Sequence, residues 1–282
     1  MPEKARTLRF ATFVGAAISL SLITTASAQD APAAAAPAFA SGISAAQMAK
    51  ANNPLADMNA LNFQNSWTAA IRGVPDDFSN TLNLRPVMVA GRHIVRATIP
   101  LATVPLGDGP YASGLGDINV FDAIKLSGEG ASTDFAVGPL IVFPSATDDA
   151  LGQGKWQAGG ATVVIHPIAG GSVVGALVTY QTDFAGDTNR ADTIILAAQS
   201  IVTLSMGGGY YFRSSGVSVF DLENNRALIP FGVGMGRVFA AAGAIANTFV
   251  EPQFSVYSKG DGQPAFQLFA GLNLQWAKKS GG

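Results

Sequence analysis

Near its C-terminus the chain reads FQLFAGLNLQW (266–276), and this alternation constrains the fold more than any other feature. Phe266, Leu268, Ala270, Leu272, Leu274 and Trp276 share one face of an extended strand, and Gln267, Phe269, Gly271, Asn273 and Gln275 share the other. The reason is that successive side chains of a strand point to opposite sides. The pattern recurs in NTLNLRPVMV, where Leu82, Leu84, Pro86 and Met88 oppose Thr81, Asn83, Arg85 and Val87. In EPQFSVYSK, Phe254 and Val256 oppose Gln253, Ser255 and Tyr257. Charged residues are only 13% of the chain, against about a quarter in ordinary soluble domains. From Phe63 onward no stretch reads as an apolar helix of the roughly 20 residues needed to span a bilayer. Apolar faces repeated on strand after strand suit a membrane-spanning barrel, with lipid outside and a polar lumen inside.

Cutting the body at turn-forming residues gives twelve segments of strand length, near 63–71, 81–90, 92–103, 117–126, 133–143, 158–167, 172–183, 192–204, 209–220, 227–239, 246–258 and 265–276. Their connections alternate. One set is short or small and weakly charged (AGR, SGEGAS, IAGG, MGGG, AAAGAI), and the other is mostly longer and richer in Asp (GVPDDFSN, VPLGDGPYASGLG, PSATDDALGQGKWQ, AGDTNRAD, DLENN, KGDGQP). Short periplasmic turns and longer external loops are the rhythm of an outer-membrane barrel. The expectation is an all-β, transmembrane, antiparallel up-and-down β-barrel of about 12 strands over 62–277. Closure removes the unpaired edges that hydrocarbon would not tolerate.

The N-terminal region divides by composition. Lys4, Arg6 and Arg9, then Phe10 to Leu22, then Ala26-Ser27-Ala28 form the basic, apolar and small-residue parts of a signal peptide over 1–28. Residues 29–42 are an Ala/Pro-rich linker, and 43–61 a short helical segment broken at Asn52-Asn53-Pro54, since the residue before proline avoids helix. Ile43, Met48, Leu55, Met58 and Leu61 give this segment apolar surface that predicts a fold-back into the barrel mouth. Residues 278–282 form a tail. Removing Glu3, Lys4, Arg6 and Arg9 leaves 14 basic and 18 acidic residues from 17 and 19, a net charge of −4, which disfavours a nucleic-acid partner. There is no cysteine, and His93 and His166 are the only histidines, so neither a thiolate nor a histidine-rich metal site is expected.

The remaining motifs offer little enzyme chemistry. GLGDI (114–118) has two glycines of a phosphate fingerprint but runs into a period-two segment rather than a helix. A lipid hydrolase would need a histidine beside a nucleophile at the outer leaflet, and both histidines fall beside short turns. No enzyme activity, cofactor or metal is expected. Asp148, Asp149, Lys155 and Trp156 belong to an external loop, where Lys155 can pair with the two carboxylates. Arg85, Arg96 and Arg213 lie within strands and are assigned to the lumen, because a guanidinium facing lipid at mid-depth costs about 2–4 kcal/mol. Asp183 and Glu251 are their candidate partners, and Gln253 lines the same lumen. Asp122 and Lys125 have opposite parity on one strand, which predicts either a register error or a bulge. Trp67, Trp156, Tyr180, Tyr210, Tyr211, Phe239 and Trp276 cluster towards strand ends as interfacial aromatic girdles.

NNPLADMNALNFQNSW (52–67), GLGDI, VGPLIVFPSATDDALGQGKW (137–156), GDTNRAD (186–192) and IPFGVGMGRVF (229–239) resemble the outer-membrane proteins grouped as "MetA-pathway of phenol degradation". The resemblance covers residue 50 to the end and implies a barrel in the cell outer membrane of a Gram-negative bacterium. Gly271, Leu274 and Trp276 resemble the signal read by the barrel-assembly machinery, although a tail follows. Two functions are compatible with these readings: a porin-like channel for passive uptake of small apolar or aromatic molecules, and a closed structural or adhesive barrel whose external loops bind partners. Outer-membrane lipid surrounds either one.

Overall fold

The computed structural model describes residues 42–277 apart from Asp108 and Ala242. The expected signal peptide (1–28), nearly all of the expected linker (29–42) and the 278–282 tail lie outside the described residues. The chain forms a closed antiparallel barrel of twelve strands with one short helix before it. The strands are β1 Met58–Ile71, β2 Ser79–Ala90, β3 His93–Pro105, β4 in two pieces (Tyr111–Leu115 and Ile118–Lys125), β5 Asp134–Phe143 and β6 Lys155–Ile168. They continue as β7 Ser172–Gly186, β8 Ile194–Gly207, β9 (Tyr210–Ser214 and Val217–Asp221), β10 (Arg226–Gly232 and Gly234–Ala241), β11 Ala244–Lys259 and β12 Pro264–Ala277. Each pairs with its sequence neighbours, and β1 closes the ring on β12, with Met58 opposite Ala277. The barrel therefore begins at Met58 rather than residue 62.

The connections at one end are 91–92, 126–133, 169–171, 208–209 and 242–243, and at the other 72–78, 106–110, 144–154, 187–193, 222–225 and 260–263. The 126–133 connection is the one long member of the short-turn end. Asp122 and Lys125 need no bulge. Lys125 points inward and its Nζ lies 2.6 Å from Asp134, while Asp122 points outward and its Oδ2 lies 2.6 Å from His93 Nδ1. The outward carboxylate is accommodated because it sits near the short-turn end with a partner.

GLGDI seats a loop. Asp117 accepts hydrogen bonds from the backbone N–H of Ala146 (3.2 Å) and Gln153 (2.6 Å), tying down both ends of the 144–154 connection. A Cβ on Gly114 would stand 2.1 Å from Thr147 Oγ1, so only glycine allows the loop this close. The break in β4 falls at Gly116-Asp117 because that backbone and side chain serve the loop.

The helix α1, Ala45–Asn52, starts with a capping box: Ser44 Oγ accepts from Gln47 N–H, and Gln47 Oε1 accepts from Ser44 N–H. It stops before Pro54, with Asn53 extended at φ −94°. Met48 and Ala51, three residues apart on one helical face, and Leu55, just after the helix, are all buried. Met48 and Ala51 pack with Tyr211, Val238 and Phe249, and Leu55 packs with Ile94, Phe121, Val163 and Leu177. The segment thus fills the lumen from the short-turn end, where burying a side chain of this kind contributes about 1.5–3 kcal/mol. Ala51 C=O, which lacks an intrahelical donor at the helix end, accepts from Asn247 Nδ2 (3.1 Å) and Gln275 Nε2 (3.0 Å). Asn53 Nδ2 donates to Asp134 (2.8 Å), linking the helix end to the Lys125 pair.

Candidate functional site

Inside the ring two cavities abut. One, of about 170 Å³, lies against the segment that follows α1 and is lined by Leu55, Ala60, Asn62, Ile94, Ala123 and Val163 among others. The second, of about 280 Å³, is ringed by polar side chains from Ser66, Asn83, Thr98, Asn119, Thr179, Gln181 and Gln267. Arg85, Arg96, Phe121, Leu177, Gln199, Ser215 and Phe269 line both, so they form the belt between the chambers.

Strand parity explains who reaches the belt. Arg96 is opposite Phe121, and Arg96 is opposite Val87, which puts Arg85 and Arg96 on one face of neighbouring strands as a diagonal pair. Arg85 Nη1 donates to Gln64 Oε1 (2.5 Å), and the Arg96 guanidinium stacks 4.3 Å from the Phe121 ring centroid. Among the described residues no carboxylate forms an ion pair with either arginine, and the buried Nε atoms of both have no hydrogen-bond partner.

Arg213 on β9 is arranged differently. Its Nε donates to Glu251 Oε2 (2.8 Å), its Nη2 to Ser215 Oγ (2.6 Å), and its guanidinium lies 3.5 Å from the Phe249 centroid. Glu251 is 0% exposed and accepts from Ser215 N–H (2.9 Å), Ser215 Oγ (2.7 Å) and Gln253 Nε2 (2.9 Å). Every carboxylate oxygen is thereby bonded, which is what a buried charge requires. β9 breaks next to Ser215, whose N–H is directed at this carboxylate. Gln253 in turn accepts from Gln267 Nε2 (2.5 Å).

Glycines make room for the aromatic members. A Cβ on Gly236 would fall 2.2 Å from the Tyr211 ring, and one on Gly271 2.5 Å from the Phe249 ring. Tyr211, expected in an interfacial girdle, is wholly buried in the lumen and donates to Asn247 Oδ1. Its place on β9 two residues before Arg213 carried that information, because the two share parity. Trp67, Tyr180 and Trp276 are exposed.

Asp183 does not reach an arginine. It lies 3.6 Å from Lys155 Nζ and accepts from Thr193 N–H (2.6 Å). Lys155, expected to serve the loop carboxylates, is 5% exposed at the start of β6 and pairs with Asp183 and Asp192 (3.1 Å). Its parity turns it inward, away from Asp148 and Asp149. Asp148 instead caps the short turn Asp149–Leu151 by accepting from Ala150 N–H (2.9 Å). Asp149 lies 3.7 Å from Arg190, which also donates to the carbonyls of Asp149 and Gly152. Trp156 packs edge-on against Phe143 on the outer wall, 5.3 Å between centroids. His93 and His166 both lie at the short-turn end, the latter 3.0 Å from Thr133 Oγ1.

No family model matches the chain, and no curated protein does. Among solved structures, the chain is similar to an outer membrane channel from Pseudomonas putida F1 at 13% identity and a TM-score of 0.55, covering 78% of this chain and 94% of that one. It also aligns with the KdgM porin in complex with disordered oligogalacturonate, at 7% identity and a TM-score of 0.45, over 76% and 98% of the two chains. The first likeness is one of fold.

Proposed function

We propose that this chain is an outer-membrane channel for passive uptake of small apolar or aromatic molecules. The observation that carries it is the lumen: two abutting cavities inside a closed barrel whose outer wall exposes Met88, Phe184, Phe231, Phe254 and Val256. So much apolar surface on a strand wall suits hydrocarbon rather than water. The P. putida protein of the same fold is an outer membrane channel. The resemblance to the phenol-degradation family points to aromatic cargo. In this reading the signal peptide exports the chain, the barrel-assembly machinery inserts it, and α1 with the short turns faces the periplasm while 144–154 faces outward.

A closed structural or adhesive barrel is the second reading, favoured by the Arg213–Glu251 cluster and α1, which fill part of the lumen. Single-channel recording of the purified chain in planar bilayers, with uptake of phenol-like compounds by a deletion strain, separates the two. Discrete conductance steps and slower uptake in the deletion strain support the channel. An assembled barrel without conductance, in a strain with unchanged uptake, supports the closed barrel.

A further inference from the structure

We infer that Arg85 and Arg96 form a binding site for a small aromatic monocarboxylate, which seats its carboxylate at the two guanidiniums and its ring in the apolar side of the chamber next to α1. The inference rests on the channel reading and names the class of molecule that the lumen holds. The first ground is charge. Lys125, Lys155 and Arg213 all face carboxylates inside or at the rim of the barrel, whereas Arg85 and Arg96 face none among the described residues. Two like charges held on adjacent strands in a low-dielectric lumen create a positive potential that concentrates anions.

The second ground is donor geometry. Guanidinium groups present several N–H donors in a fixed fork matched to carboxylate. Gln64 takes Nη1 of Arg85 and the Phe121 ring takes a face of Arg96, while the remaining Nη donors of the two, which line both chambers, have no protein acceptor among the described residues. The third ground is the wall beside them. Leu55, Ile94, Phe121, Ala123, Val163 and Leu177 form an apolar surface next to the arginines. A compact inorganic anion would leave that surface unused. The chamber, about 170 Å³, suits one aromatic ring, since apolar cavities of about 150 Å³ bind benzene.

The test is equilibrium binding of benzoate to the full folded chain in detergent, by titration calorimetry, with benzyl alcohol and inorganic phosphate as comparators. Benzoate is expected to bind more tightly than both. Arg85→Gln with Arg96→Gln is expected to weaken benzoate roughly tenfold or more, the usual worth of hydrogen bonds to a charged group, while Arg237→Gln, on the outer-facing set of β10, leaves it unchanged. Equal affinity for benzoate and benzyl alcohol overturns the inference, as does unchanged benzoate affinity in the double variant. Heat-modifiable gel migration reports whether the variant has folded, and the ligand comparison on the unaltered chain decides the matter if it has not. A chain that conducts ions in bilayers but does not bind benzoate overturns this site alone. A chain that binds benzoate but does not conduct upholds the site and removes the channel reading.

Discussion

The two arginine-bearing walls of the lumen solve the same problem in opposite ways. β9 stands across the ring from β2 and β3, and side chains from all three line the chamber next to α1. Arg213 is matched by a carboxylate whose oxygens are all occupied, within a cluster that also takes a backbone N–H from the broken strand. Arg85 and Arg96 have an amide and a ring for company and no counter-charge among the described residues. One wall is a finished structural network. The other holds charge that stability alone does not call for, since removing an unpaired buried charge is neutral or better for folding. In the channel proposed above, this difference separates the residues assigned to cargo from those that hold the barrel together.

The largest stability effect should come from the finished wall. Glu251→Ala leaves Arg213 buried without its partner, which costs about 3–5 kcal/mol and should appear as a lowered urea midpoint of the detergent-folded barrel. Asn247→Ala removes a donor to Ala51 C=O and the acceptor of Tyr211, a loss of about 1–3 kcal/mol; limited proteolysis should then cut around residues 44–56 faster than in the unaltered chain. Arg85→Gln should change stability by less than about 1 kcal/mol in either direction, since no ion pair is broken. A penalty near that of Glu251→Ala would erase the contrast between the walls. Asp122→Asn, in a half-exposed pair with His93 on the outside, should cost about 0–1 kcal/mol and leave conductance as it was.

Much of the architecture was legible in the sequence because a β-barrel writes itself in local terms. The twelve alternating segments match twelve strands, and the two faces of 266–276 separate as the parity requires, with Gln267 and Gln275 at the cavities. The helix end was legible too, since Pro54 restricts Asn53 directly. Contacts between distant segments were not. The partners of Lys155 depend on β7 and the 187–193 loop folding over it, and the donors to Ala51 come from Asn247 and Gln275 far along the chain. The seat that Asp117 makes for 144–154 depends equally on a loop whose path no periodicity records. Tyr211 resembles a girdle residue, as aromatic residues near strand ends do, and only its shared parity with Arg213 places it in the lumen.

The central claim is that the lumen is a path narrowed at one end by α1 and the residues after it. Single-channel conductance of a chain carrying Met48→Asp and Leu55→Asp tests it most directly, because the two buried carboxylates should expel the segment while every strand stays as it is. The account predicts a conductance several-fold above that of the unaltered chain, from barrels that still show heat-modifiable migration. Equal conductance from correctly assembled barrels would contradict it.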